Sequence, residues 1–228
     1  DWSSDVCSSD LFCCFFLVCV FLEMFQRKPI VVDLRGHIVG RAAALIAKEL
    51  LCGQKIVCVR AELAELSGSL FRNKMEMVAF MRKKCNYNKN HGQYHYRSPA
   101  KLFWRAVRGM IPYKTARGVQ ALRRLKVFNG IPSPYDTQKR VCIPGALRVL
   151  KIQPHRKCTV LADLAEQIGW TRRATLERYE AQRKVKSAAF YNRKKQIELL
   201  RKKETAKVMA AADPELDKWK AILKQYGY

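Results

Sequence analysis

The stretch Ile30–Val59 reads as strand, helix, strand, and that order constrains the fold more than anything else in the 228-residue chain. Ile30–Leu34 (IVVDL) is a short apolar run with β-branched residues, hence a strand. Val39–Leu51 (VGRAAALIAKELL) carries apolar residues at helical spacing and stops at Cys52-Gly53, where the glycine suits the position after a helix end. Ile56–Val59 (IVCV) is a second buried strand. A βαβ unit implies a parallel strand pair joined by a right-handed crossover. An α/β domain follows, and a hydrophobic fraction of 49% is enough to give it a core.

The alternation continues downstream. Ser67-Gly68 opens a predicted helix with Phe71, Met75, Val78 and Met81 along one core-facing side. Asn86–Arg97 is a polar loop without periodicity. Ser98-Pro99 places an N-cap before a proline at the first helical position, and the helix is expected to run to about Val107. The loop Gly109–Gly118, whose two glycines allow the backbone to approach a partner closely, leads to a helix capped by Thr115 and running to about Lys126. Ile131–Arg140 is a proline-rich connector, and Val141–Ile143 with Leu147–Leu150 closes the domain. Beyond it, Val160–Ile168 predicts a short helix ended by Gly169, Trp170–Lys207 a long helix, and Asp213-Pro214 the start of a last one. The organisation expected is a leader over residues 1–23, an α/β domain over 24–152 and a basic helical extension over 153–228.

Charge indicates the partner. The chain carries 44 Lys and Arg against 19 Asp and Glu, a net +25, which favours a polyanion. No acidic residue lies between Glu76 and Asp136, whereas Arg82, Lys83, Lys84, Lys89, Arg97, Lys101, Arg105, Arg108, Lys114, Arg117, Arg123, Arg124 and Lys126 all fall there. A solvated helix face alternates signs; a long one-sign stretch is best tolerated when phosphates supply the missing negative charge. Aromatic residues are interleaved with these cations, as suits RNA, whose exposed bases stack on rings and guanidinium planes. Tyr94, His95 and Tyr113 are the candidates for contact, and Phe103, Trp104 and Phe128 are expected in the core. In the tail, Thr171–Lys207 holds 13 Lys and Arg against 4 Asp and Glu, with too narrow an apolar stripe for a core or a membrane surface.

Signs of catalysis are missing. Gly36–Gly40 (GHIVG) sits between strand and helix but matches neither G-x-G-x-x-G nor G-x-x-x-x-G-K-[ST], so it is read as a tight turn. Cys52, Cys58, Cys85, Cys142 and Cys158 form no C-x-x-C pair, which argues against structural zinc and a disulfide framework and for a reducing compartment. The histidines have no neighbouring carboxylate in sequence to orient them for acid–base work. The expectation is a protein without enzymatic activity, cofactor, metal or small-molecule substrate.

These residues resemble a known family. VVDLRGHIVGRAAALIAKELL, GQKIVCVRAE, SGSLFRNK, GQYHYRSPAKLFWRAVRGMIPYKTARG, ALRRLKVFNGIPSPYD and GALRVLKIQPHRKC are similar to stretches of the universal large-subunit ribosomal protein thirteen, in its longer eukaryotic "thirteen-a" form. The resemblance covers about Pro29 to Tyr228. It implies a three-layer α/β/α domain on a four-stranded parallel sheet with a C-terminal basic helical extension. It also implies a non-catalytic role in the large ribosomal subunit, binding ribosomal RNA and neighbouring ribosomal proteins and supporting assembly and translation. The expected location is the cytoplasmic ribosome, with assembly in the nucleolus. Contacts to RNA are implied for the loop residues Arg108, Gly109, Lys114, Thr115, Arg117 and Gly118 and for His95, Arg97 and Lys101. Arg156 and Lys157, in the last matched stretch, complete the candidate RNA-binding set with the cations of the central run. The chain departs from the family pattern at Tyr113, usually histidine, at Ser98, usually alanine, and at Glu62–Leu66 (ELAEL), usually an asparagine-containing turn.

The chain opens DWSSDVCSSDLFCCFFLVCVFLEM. The apolar run Leu11–Leu22 is shorter than the roughly 20 residues a bilayer span needs, and the acidic start is unlike a signal peptide. DWSSDVCSSDL resembles a translated sequencing adapter, so residues 1–23 are expected to be artefactual and Met24 the start; an organelle-targeting leader is the alternative.

Overall fold

A computed structural model describes residues 28–88, 90–210 and 214–227. The expected leader lies outside the described residues. Four parallel strands form the main sheet: β1 (Ile30–Asp33), β2 (Ile56–Val59), β4 (Leu125–Val127) and β5 (Arg140–Val141), in the order β4-β2-β1-β5. The register sets Ile30 beside Ile56, Val32 beside Cys58, and Ile56 beside Leu125. Alternation then sends Val32, Ile56, Cys58 and Leu125 to one face and Val31, Val57 and Val59 to the other.

Helices α1 (Val39–Leu51), α3 (Pro99–Gly109) and α4 (Ala116–Arg123) cover the first face. Helix α1 buries Val39, Ala42, Ala43, Ile46, Ala47 and Leu50, the stripe its period predicts. Helix α3 sends Phe103 and Val107, both fully buried, into the same core. On the opposite face Phe128, Ile131 and Tyr135 close over the three valines. The architecture is the three-layer α/β/α arrangement, with unequal layers.

A second sheet pairs β3 (Glu65–Ser67) antiparallel with β6 (Cys158–Val160). Helix α6 (Leu161–Gln167) follows and sends Leu161 and Leu164 into the main core. Trp170 closes a small cluster with Ala162 and Ala165. The compact unit therefore runs to Leu176 and takes in residues Cys158–Trp170, which the sequence alone places in the extension. Residues Glu177–Tyr228 form a second unit, made of the remainder of α7 (Arg173–Ala210) and of α8 (Pro214–Gln225). No helix among the described residues is long and apolar enough to cross a membrane.

Four local expectations are corrected. Helix α4 stops at Arg123 and does not reach Lys126, because Leu125–Val127 pairs with β2 as a strand. Helix α2 (Leu70–Arg82) starts two residues later than Ser67-Gly68, with the Ser69 hydroxyl as cap of Arg72 N–H. Its Phe71 and Met75 point to solvent; Asn73 and Met77 face the core instead, because β6 and α6 pack against that side. At the start of α3 the Ser98 hydroxyl is not the cap. Asn129 takes that role: its Oδ1 accepts from Ala100 N–H at 2.9 Å while its Nδ2 donates to Ser98 Oγ at 2.9 Å. In the divergent ELAEL segment, Glu62 accepts from Gly130 N–H at 2.9 Å and Glu65 pairs with Arg148 at 3.1 Å, so both acids tie loops to the core.

Candidate nucleic-acid interface

The side of α3 away from buried Phe103 and Val107 carries exposed Lys101 and half-buried Trp104, Arg105 and Arg108 at helical spacing. The polar loop before it lays rings against these cations. Tyr96 stacks on Tyr94 with centroids 6.2 Å apart and meets Trp104 edge-on at 6.4 Å. Lys101 Nζ lies 5.7 Å from the Tyr96 ring and 5.4 Å from the Trp104 ring. The Arg105 guanidinium lies 3.6 Å above Phe80, whose ring also meets His95 at 4.7 Å. Arg108 sits 4.0 Å above Tyr113. Such contacts hold long cationic side chains in place at low entropic cost and leave their outer edges free for an anion.

Partial burial, and after it the charge of Arg108, lower the pKa of Arg105, while Tyr96 opposes both. A guanidinium stays protonated all the same, so Arg105 is a cation short of solvation and short of negative neighbours. Beside it a groove of about 450 Å³ is lined by Tyr94, Tyr96, Trp104, Arg108, Tyr113, Val119, Leu122 and Arg123. Rings and guanidinium planes bordering an open groove are what an unpaired base needs to stack. Lys126, on β4, lies on the flank with Lys101 and Trp104.

One oxygen gathers the end of the loop from α3 to α4. Pro112 O accepts from Thr115 N–H at 3.0 Å and from the Thr115 hydroxyl at 2.8 Å. The same hydroxyl accepts from Gly118 N–H at 3.2 Å, capping α4. A Cβ on Gly118 would lie 2.0 Å from Pro112 O, so only glycine fits. Gly109 differs: it ends α3, it lacks a positive φ, and a Cβ there meets nothing. The close approach that requires glycine is to Pro112 of the same chain, and it falls at Gly118 alone. Lys114 and Arg117 project from this loop and are exposed, and no carboxylate among the described residues pairs with either.

The other candidates divide. Arg82, Lys83, Lys84 and Arg123 are exposed. Lys89 lies outside the described residues. Arg97 lays its guanidinium against Gly169, at the end of α6. His95 packs on Phe80, and its Nδ1 is buried without a hydrogen-bond partner. Arg124 is occupied: Nη2 and Nε donate to Leu50 O at 2.9 and 3.3 Å, satisfying the C-terminus of α1. Arg156 and Lys157 line a different cleft from the α3 groove. Trp104, expected in the core, packs against it while its ring also meets Tyr96 and Lys101; residue-type reasoning missed Phe80.

The backbone of the turn Leu34–Ile38 is bonded within the fold. Gly36 N–H and O bond Leu63 O and Arg148 N–H, and Ile38 N–H bonds Ala146 O. Buried His37 accepts from Ile143 N–H on Nε2 at 2.9 Å, so its Nδ1 carries the proton and donates to Arg35 O at 3.0 Å. The groups that would cradle a phosphate are spent on packing, in keeping with a tight turn.

The profile of a family described as Ribosomal protein L13 matches residues 27–134. The large ribosomal subunit protein uL13 of Spodoptera frugiperda is 44% identical over 204 residues, covering 90% of this chain and 98% of that one. The protein of the same description from Dictyostelium discoideum is 51% identical over 170 residues, covering 75% and 91%. Identity of that level over at least three quarters of this chain and nine tenths of each relative, on a four-stranded parallel sheet with a cationic, aromatic-backed α3, leads to one conclusion: the chain belongs to the ribosomal protein L13 family.

Proposed function

We propose that this chain is a non-catalytic constituent of the large ribosomal subunit that binds ribosomal RNA through α3, the loop Met110–Gly118 and the polar loop Asn86–Arg97. The observation that carries this reading is the array of Lys101, Arg105 and Arg108 on aromatic faces, in a stretch from Glu76 to Asp136 without one intervening carboxylate. Rings offer stacking to unpaired bases, and Lys114, Arg117 and the N-terminus of α4 offer charge to phosphates. The uL13 description of the relatives supports the large subunit, hence the ribosome, as the location; assembly in the nucleolus is part of the same proposal. Neighbouring ribosomal proteins complete the contacts. The arm Glu177–Tyr228, exposed at nearly all of its described residues, orders on the particle rather than on a core of its own.

The test is the double variant Lys114→Ala/Arg117→Ala. It is expected to melt like the parent protein while its RNA affinity falls. The slope of log K against log salt should flatten by roughly 0.7–0.9 for each phosphate no longer neutralised. An unchanged slope, together with normal incorporation into large subunits, would remove the loop from the interface.

A further inference from the structure

A second cleft, of about 720 Å³, opens where the β3–β6 ribbon meets α1, α2 and the short helix α5 (Arg148–Lys151). Five cations line it, Arg41, Arg72, Lys151, Arg156 and Lys157, and it shares no lining residue with the α3 groove. The one carboxylate among its lining residues, Glu76, is engaged by Arg72 at 3.2 Å. The floor is built and internally satisfied. Asn73, buried, donates Nδ2 to Thr159 Oγ1 at 3.0 Å and to Ser67 O at 3.4 Å. Thr159 in turn donates to Gly68 O at 2.9 Å, and Gly68 N–H donates to Lys157 O at 2.9 Å. These bonds fix the Ser67-Gly68 turn against the Arg156-Lys157 segment, so cations from distant parts of the chain share one rim. The floor has few polar groups to spare for a ligand, and the rim has a surplus of positive charge.

The lining contains no aromatic ring, in contrast to the α3 surface. Cations without rings neutralise phosphates but offer no stacking platform for a base. A single phosphate would leave most of the five cations uncompensated, whereas a run of phosphodiesters in a base-paired stretch engages several at once and keeps its bases out of reach. Resting on the RNA-binding reading above, we propose that this cleft is a second RNA site that grips the backbone of a duplex and reads no base, so that the domain joins two RNA segments.

The full chain is titrated with a generic RNA duplex of about 16 base pairs and with oligouridine, across a salt series. Lys151→Ala/Arg156→Ala is compared with Lys48→Ala/Lys55→Ala, an equal loss of charge at exposed sites outside the cleft. The cleft pair should flatten the duplex slope by roughly 1.8, two phosphates at about 0.9 each, and leave oligouridine nearly unchanged. Glu76→Gln should tighten duplex binding. Equal flattening by the control pair would reduce the effect to net charge and overturn the proposal. So would an unchanged duplex slope, or a loss confined to oligouridine. Inhibition of duplex binding by inorganic phosphate beyond that of chloride at equal ionic strength would make the cleft a free-phosphate site, and would also overturn it. If Lys114→Ala/Arg117→Ala likewise changes neither probe, the failure lies in the RNA-binding reading itself.

Discussion

Replacing Gly118 by alanine sets a Cβ 2.0 Å from the Pro112 carbonyl oxygen and 2.5 Å from its carbon. The oxygen has to retreat by about 1 Å before the approach is tolerable, and overpacking of this kind costs about 1–3 kcal/mol. Retreat also stretches the bonds that Thr115 N–H and the Thr115 hydroxyl make to that oxygen, now 3.0 and 2.8 Å. Each contributes about 0.5–1.5 kcal/mol. A net loss of about 3 kcal/mol is expected, a fall in Tm of about 6–12 °C for a domain of this size. Gly109→Ala is the matched control. Its Cβ meets nothing, so the helix end gains about 0.5–1 kcal/mol and melts slightly higher. Scanning calorimetry of the two variants beside the parent protein reads both signs in one experiment. A Gly118→Ala protein that melts with the parent would refute the argument, as would a Gly109→Ala protein that loses as much as Gly118→Ala.

Other consequences are equally direct. Arg124→Ala removes both guanidinium donors from Leu50 O, which keeps the Gly53 N–H at 3.1 Å, and should cost about 0.5–1.5 kcal/mol in a urea melt, with no flattening of the RNA salt slope beyond that of an exposed lysine. Tyr94→Ala/Tyr113→Ala should weaken oligouridine binding by roughly 1–3 kcal/mol per lost stack while the salt slope holds, the reverse of the lysine and arginine variants. A chain ended after Leu176 should keep the melt of the first unit. One ended after Gly169 should melt lower, because it loses buried Trp170 and the Arg173 bridges to Asp163 and Glu166 at 2.8 and 2.7 Å. Burial pushes the Cys58 thiol far up, so the folded state holds its proton above the pH at which the unfolded chain releases it. The stability it contributes is complete below about pH 8.5 and declines as pH rises beyond that. Mass spectrometry after alkylation should find exposed Cys52 and Cys142 modified and Cys58 untouched until the protein unfolds.

Much of the scaffold could be read directly from the chain because its causes are local. The β-branched run at Ile30, the helical apolar stripe from Val39 to Leu50, the Thr115 cap and the family motifs each act within a few residues, and the structure repeats them. The cationic, aromatic-rich stretch is likewise continuous in sequence, so its concentration on α3 and the flanking loops followed from the pattern.

The remainder depended on partners far apart along the chain. Asn129 caps a helix by accepting from an N–H 29 positions earlier, and Arg124 reaches a carbonyl 74 positions away. No periodicity marks either pair, since each side chain is an ordinary polar residue until packing brings its partner within 3 Å. Met77 rather than Met75 turned inward because β6 and α6 occupy that side of α2, a fact absent from the helix itself. Among cations, composition treats Lys114, Arg124 and Arg156 alike. Tertiary structure sends the first to an exposed loop, spends the second on a helix end and moves the third into another cleft, because charge is a property of the residue and availability a property of its neighbours.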